Sequence, residues 1–116
     1  MNNRKGNKKL NKPTDQRLAL LRSLAVNLIE NNKIKTTTTR AKQAKSFIEK
    51  LITLAKKNTV HSKRQIFSIV NNKTFVRSLS KVSESITSRN SGYIKIIKCG
   101  HRKGDSAELS QLELLR

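Results

Sequence analysis

The sequence predicts an α+β domain in which helices pack on one face of a small mixed β-sheet, with an extended basic arm in front of it. Three observations lead there. Four segments repeat apolar residues at three-to-four spacing, as helices with one buried stripe do. Two short segments are rich in β-branched residues and a third near the end sets Leu112 and Leu114 on one face, three strands in all and too few to build a sheet covered on both faces. The first thirteen residues hold almost nothing that can be buried.

Residues 1–13 form the arm and residues 14–116 the single body. Arg4, Lys5, Lys8, Lys9 and Lys12 stand in the arm with no acid and with Leu10 as its one sizeable apolar side chain after Met1. Such a segment cannot offset the entropy of ordering, so it is expected to be disordered in the free protein and to serve as a polyanion-binding arm. Pro13-Thr14-Asp15 starts the first helix, with Thr14 as N-cap and Asp15 near the positive end of the dipole. Leu18, Leu21, Ala25, Leu28 and Ile29 make its inner stripe, Arg17, Arg22 and Asn27 its outer face, and Asn31-Asn32 a left-handed stop.

Residues 34–38, Ile-Lys-Thr-Thr-Thr, are β-branched and too short for a helix, hence a strand. A second helix follows from near Thr39 to about Asn58, burying Ala41, Ala44, Ile48, Leu51, Ile52 and Ala55. Residues 60–70 give a shorter helix with Val60, Ile66, Phe67 and Val70 inward. After a turn at Asn71-Asn72-Lys73, Thr74 caps a fourth helix that buries Phe75, Val76, Leu79 and Val82. Residues 87–92 are a loop. Tyr93 to Cys99 is a strand with Ile94 and Ile96 on one face and Ile97 and Cys99 on the other, which makes Cys99 a small buried apolar residue. A basic loop from Gly100 to Ser106 leads to a last strand, Leu109 to Leu115, with Leu112 and Leu114 inward.

The chemistry these residues support is narrow. The 116-residue chain has 26 Lys and Arg against 7 Asp and Glu, a net charge of +19. Such a surface repels itself unless a polyanion surrounds it. The lone Cys99 excludes an intrachain disulfide and suits a reducing cytosol. Cys99, His61 and His101 lack zinc-ligand number and spacing. No apolar run approaches the length of a membrane span, and no apolar signal core or transit-like segment opens the chain. The acids form no pair suited to general acid–base work; Asp105, between Arg102 and Lys103 on one side and Glu108 on the other, reads as a salt-bridged turn residue. The Gly100–Asp105 loop lacks the spacing of a nucleotide-binding phosphate loop, though Arg102 and Lys103 suit RNA phosphates. An enzyme, a cofactor, a metal and a small-molecule substrate are therefore not expected. Basic residues spread over the arm, the helix faces and the loops suit RNA folded in three dimensions, since a protein reading one DNA groove concentrates its charge. A basic DNA-binding or nucleoid-type protein is the alternative, with residues 59–83 as its helical pair.

Three ordered strings are more specific. They are Ile34-Lys35-Thr36-Thr37 with Arg40-Ala41-Lys42, then residues 49–56 (Glu-Lys-Leu-Ile-Thr-Leu-Ala-Lys), then Arg89-Asn90-Ser91-Gly92-Tyr93 running on to Ala107. Together they resemble the bacterial ribosomal large-subunit protein seventeen family over nearly the whole chain. The resemblance implies a cytoplasmic structural protein of the large subunit, of bacterial or organelle type. It also implies contact with large-subunit rRNA near the nascent-chain exit and with neighbouring ribosomal proteins. On that resemblance the RNA-binding residues are Arg4, Lys5, Lys8, Lys9 and Lys12, then Arg17, Thr36, Thr37, Arg40, Lys42, Arg89, Asn90 and Tyr93. The charge reading adds Arg22, Arg102 and Lys103.

Deleting residues 2–12 is expected to leave the thermal midpoint of the body unchanged. At about 0.7 to 0.9 units of log–log salt slope per phosphate contact, it should flatten the salt dependence of RNA affinity by up to about 4 units. Melting by circular dichroism and a salt series of affinities check both halves.

Overall fold

The computed structural model describes residues 8–86 and 90–115, and in it the elements run α1 (Thr14–Asn31), β1 (Lys33–Thr37), α2 (Thr38–Lys56), α3 (Val60–Val70), α4 (Lys73–Ser85), β2 (Ile94–His101) and β3 (Glu108–Leu114). Arg4, Lys5 and Arg89 lie outside the described residues. The described part of the arm is turned rather than extended. Leu10 and Asn11 both take positive φ (52° and 53°), and the Lys12 N–H reaches the Lys9 carbonyl at 3.0 Å.

Helix α1 starts one residue earlier than Thr14 as cap would place it. Pro13 is the N-cap, without a side-chain cap bond, and its carbonyl accepts from the Arg17 N–H at 2.9 Å. Proline has a preset φ and no N–H to leave unpaired, so it sits well at that boundary. Asn32 ends the helix in the left-handed region at φ 65°. Its N–H donates to Leu28 O at 2.8 Å while its own carbonyl accepts from Leu114 N–H at 3.0 Å, so the helix stop is tied to the end of β3.

The three strands among the described residues lie in the order β1-β3-β2. Both pairings are antiparallel, so the sheet is not mixed. β2 and β3 are joined by a hairpin, and β1 and β2 run in the same direction but never touch because β3 lies between them. The register puts Ile34, Leu112 and Ile96 in one row and Lys35, Gln111 and Ile97 in the next. Side chains alternate between faces, so the first row faces the helices and the second faces away. Leu112 and Ser110 are fully buried and Ile94 and Leu114 nearly so, while Lys33, Lys35 and Lys95 are exposed.

Cys99 departs from expectation: it is exposed. The pairing shifts between Lys98 and Gly100, so Cys99 has no partner on β3, and alternation sets it with Ile97, whose row faces away from the helices.

Helix α2 covers the inner face of the sheet. Its buried residues are Thr38, Ala41, Ala44, Ile48, Leu51, Ile52 and Ala55, the stripe its periodicity predicts with one threonine added. Thr38 Oγ1 lies 2.7 Å from Ser110 Oγ and donates to the Glu108 carbonyl at 3.3 Å, which fixes the start of α2 over β3.

Helix α3 is rotated relative to expectation. Thr59 Oγ1 accepts the Ser62 N–H and Ser62 Oγ accepts the Thr59 N–H, both at 3.1 Å, a reciprocal cap. Ser62, Ile66 and Val70 are buried on that side. Val60 and Phe67, expected in the core, belong to the other stripe and are 65% and 40% exposed. The turn to α4 uses both asparagines. Asn71 closes α3 at φ 59°, and Asn72 Oδ1, in place of Thr74, caps α4 by accepting the Phe75 N–H at 3.0 Å. Phe75, Leu79 and Val82 then point inward as expected, and Val76 is half-buried.

Leu112→Ala opens a void where the sheet meets the helices and is expected to cost about 2–5 kcal/mol. Cys99→Ser, at the unpaired bulge, should stay within about 0.5 kcal/mol. Urea denaturation of both variants checks the contrast.

Candidate nucleic-acid interface

The register of the sheet sorts the candidate residues into places. At one end, Thr36 pairs with Ser110 and Thr37 with Leu109, while Lys98 and Gly100 flank the same β3 positions from the other side. Arg40 stands in the first turn of α2, and the hairpin loop carrying Arg102 and Lys103 continues from the His101–Glu108 pair. Thus Thr36, Thr37, Arg40, Arg102 and Lys103, far apart in sequence, share one end of the sheet. Lys42 lies exposed one residue beyond the buried Ala41.

Arg102 is held by Asp105. Its Nε donates to Asp105 Oδ1 at 3.0 Å and its Nη2 to Oδ2 at 2.6 Å, a two-bond pairing that fixes the guanidinium plane. The Ala107 N–H also donates to Asp105 Oδ1, at 3.2 Å. Hydrogen bonding from Arg102, followed by that from the Ala107 amide, draws the Asp105 carboxyl down to about 2. Asp105 in turn raises Arg102. The loop therefore holds its shape while Lys103 remains exposed and without an acid partner among the described residues.

The outer face of the sheet is a second basic surface, which the motif reading passed over. Lys33 and Lys95 flank Glu113, and Lys35 faces Gln111 and Ile97. Only Lys33 of these is paired, at 3.7 Å from Glu113, and Lys98 at the hairpin end reaches Glu108 at 3.4 Å. Lys35 and Lys95 have no acid within ion-pair distance among the described residues. The alternations Lys33-Ile34-Lys35 and Ile94-Lys95-Ile96 were the available signal.

Other candidates fall elsewhere. Arg17 and Arg22 are half-buried on α1, and Arg22 Nε donates to the Ile69 carbonyl at 2.7 Å, which ties α1 to α3. Lys8 and Lys9 are exposed and Lys12 half-buried in the arm's turn. Asn90 and Tyr93 lie at the opposite end of the sheet, where the Leu115 N–H meets the Tyr93 carbonyl at 2.8 Å. Tyr93 is 2% exposed. Its hydroxyl donates to the Asn90 carbonyl at 2.7 Å and Lys56 Nζ stands 5.0 Å from the ring centroid, so Tyr93 has no free ring face for a base. It shapes the loop from the core side.

Among the described residues no group of three His, Cys, Asp or Glu is placed to hold a metal ion, and no helix is long and apolar enough to cross a membrane. What the arrangement offers is positive charge on several separated surfaces, fixed by a rigid sheet and a braced hairpin, a pattern that meets phosphates from more than one direction.

Comparison with known proteins agrees in extent. The profile of the family described as "Ribosomal protein L17" matches residues 20–115. The chain is 47% identical over 111 residues to the large ribosomal subunit protein bL17 of Clostridium acetobutylicum, covering 95% of this chain and 97% of that protein. It is 48% identical to the bL17 of Clostridium beijerinckii and 46% identical to that of Clostridium botulinum, in each case over 95% of this chain and 98% of the relative.

Because the carboxyl of Asp105 is lowered in the folded chain, its pairing with Arg102 contributes above the ordinary carboxylate range and is lost as pH falls from near 4 toward about 2. An NMR titration of the Asp105 carboxyl should give a midpoint near that lower value, with the Arg102 Nε resonance moving in step. Asp105→Asn should abolish the coupled shift while leaving the core resonances in place.

Proposed function

The chain belongs to the ribosomal protein L17 family, and on that footing we propose that it is a structural constituent of the large ribosomal subunit that binds large-subunit rRNA and performs no catalysis. The observation that carries the RNA contact is the display of cations on separated rigid surfaces. Lys35 and Lys95 on the open sheet face and Lys103 on the hairpin have no acid within ion-pair distance among the described residues. Each is free to take a phosphate, and phosphates of a folded RNA approach a small protein from several sides. Arg40, Lys42, Thr36, Thr37 and Arg102 extend the contact at the hairpin end, with Arg4, Lys5, Lys8, Lys9 and Lys12 of the arm and Arg89 and Asn90 as further contacts. A place near the nascent-chain exit, in the cytoplasm and beside other large-subunit proteins, belongs to the same proposal and is supported by family membership.

The DNA-binding alternative requires a helix that presents polar, base-reading side chains to a groove. The outward stripe of α3 sets Lys63 and Arg64 between the exposed Val60 and Phe67, an apolar floor with cations at its edge rather than a run of base-reading polar side chains, so the RNA reading is the stronger.

A tagged chain is expected to cosediment with large subunits in a lysate gradient and to leave them only at high salt; a peak with chromosomal DNA would overturn the proposal. Replacing Lys35, Lys95 and Lys103 by Ala should leave the melting midpoint unchanged and flatten the log–log salt slope of rRNA-fragment binding by about 2–3 units, three contacts at about 0.7 to 0.9 each.

A further inference from the structure

Helix α3 has two faces with different tasks. Ser62, Ile66 and Val70 go into the core, whereas Val60, Lys63, Arg64 and Phe67, at the i, i+3, i+4, i+7 spacing of one stripe, line the outside. Lys73, Val76 and Arg77 of α4 run alongside at the same spacing, and the two stripes bound a shallow cleft of about 350 Å³. Val60 and Phe67 are the large apolar side chains left exposed among the described residues. Both lie in this cleft, and each basic residue that borders it stands beside them. No acid lines it.

We propose that the cleft docks an acidic amphipathic helix of a protein partner. Leu- or Ile-type side chains would cover Val60, Phe67 and Val76, and flanking Asp or Glu would meet Lys63, Arg64, Lys73 and Arg77. Charge complementarity selects the acid, since four cations and no anion surround the floor. The floor selects a peptide over RNA. Bases bind unpaired surfaces by stacking on successive flat aromatic faces, and here one aromatic stands among two β-branched aliphatics. Phosphates gain nothing from an apolar floor. Two helical stripes side by side also form the kind of groove into which a third helix lays an apolar ridge. The inference deepens the structural role proposed above, because it rests on the chain having protein neighbours in its particle.

The full-length protein is titrated at physiological salt with a synthetic helical peptide bearing Leu on one stripe and Glu on both flanks. Controls are the same peptide scrambled, its Lys-for-Glu counterpart, and a single-stranded RNA oligonucleotide. Binding is read by fluorescence anisotropy and by the methyl resonances of Val60 and Val76. The patterned peptide should bind and shift both methyls. Val60→Ser and Phe67→Ser should each weaken it by about tenfold, a change of the size expected from losing one apolar contact. Arg64→Glu with Arg77→Glu should weaken it at least as much, all without lowering the melting midpoint. Equal binding of the scrambled peptide, or affinity unmoved by the two serine variants, would show a general charge effect and overturn the proposal. So would RNA shifting the two methyls where the peptide does not. Failure to cosediment with large subunits would remove the functional reading alone, since the peptide titration uses the isolated chain.

Discussion

A sheet covered on one face only sets almost everything else in this molecule. Period-two alternation gives every strand an inner and an outer residue, and the same register that lines up Ile34, Leu112 and Ile96 under α2 lines up Lys33, Glu113 and Lys95 outside. The apolar core and the basic platform are two sides of one constraint. A slip of one residue in β3 would send Gln111 and Glu113 into the core and Leu112 into water. The pairing is accordingly anchored at both ends: by Thr38 and Ser110 at the start of α2, and by the Asn32 carbonyl bonded to the Leu114 amide at the end of α1.

Where the sequence carried one unambiguous period, the fold was legible. Helix α2 has a single stripe of Ala, Ile and Leu long enough to admit no other face, and the observed core follows it. Helix α3 has two stripes of similar apolar content, and the choice between them lies in the Thr59–Ser62 cap and in what the helix packs against, neither of which periodicity records. Cys99 departs for a related reason: alternation sets it on the face of Ile97, and that no helix packs over that face depends on tertiary structure rather than on the strand's own pattern. The caps at Pro13 and Asn72 stand one and two residues before the threonines that composition favours, since a boundary is decided by backbone geometry and several neighbouring residues can serve it.

The basic residues show a similar division. Charge on the arm and in the hairpin loop was visible as charge, and Asp105 read correctly as a salt-bridged turn residue. Lys35 and Lys95 were passed over because a lysine in a strand reads as ordinary solvent-facing filler; their meaning depends on a sheet that leaves its outer face bare. Arg22 differs in the other direction, for a cation on a helix face reads as wholly free until its Nε is found on the Ile69 carbonyl. The cations of this chain thus divide into those on the open sheet face and hairpin and those rimming an apolar cleft, and the two groups call for different ligands.

The strand order has a kinetic meaning. β3 comes last in the chain yet occupies the middle of the sheet, and its partner β1 was made about 80 residues earlier, as the Lys33–Glu113 pair measures. Until β3 arrives, β1 and β2 have no strand to pair with, Ile34 and Ile96 have nothing between them, and the inner face of α2 has no floor. A chain emerging at about 5–20 residues per second therefore spends seconds with its helical segments made and the sheet missing. In that interval a strongly positive, half-assembled chain is held apart from its own kind by charge repulsion. The topology makes folding a single late event, closed by the one strand that touches both others.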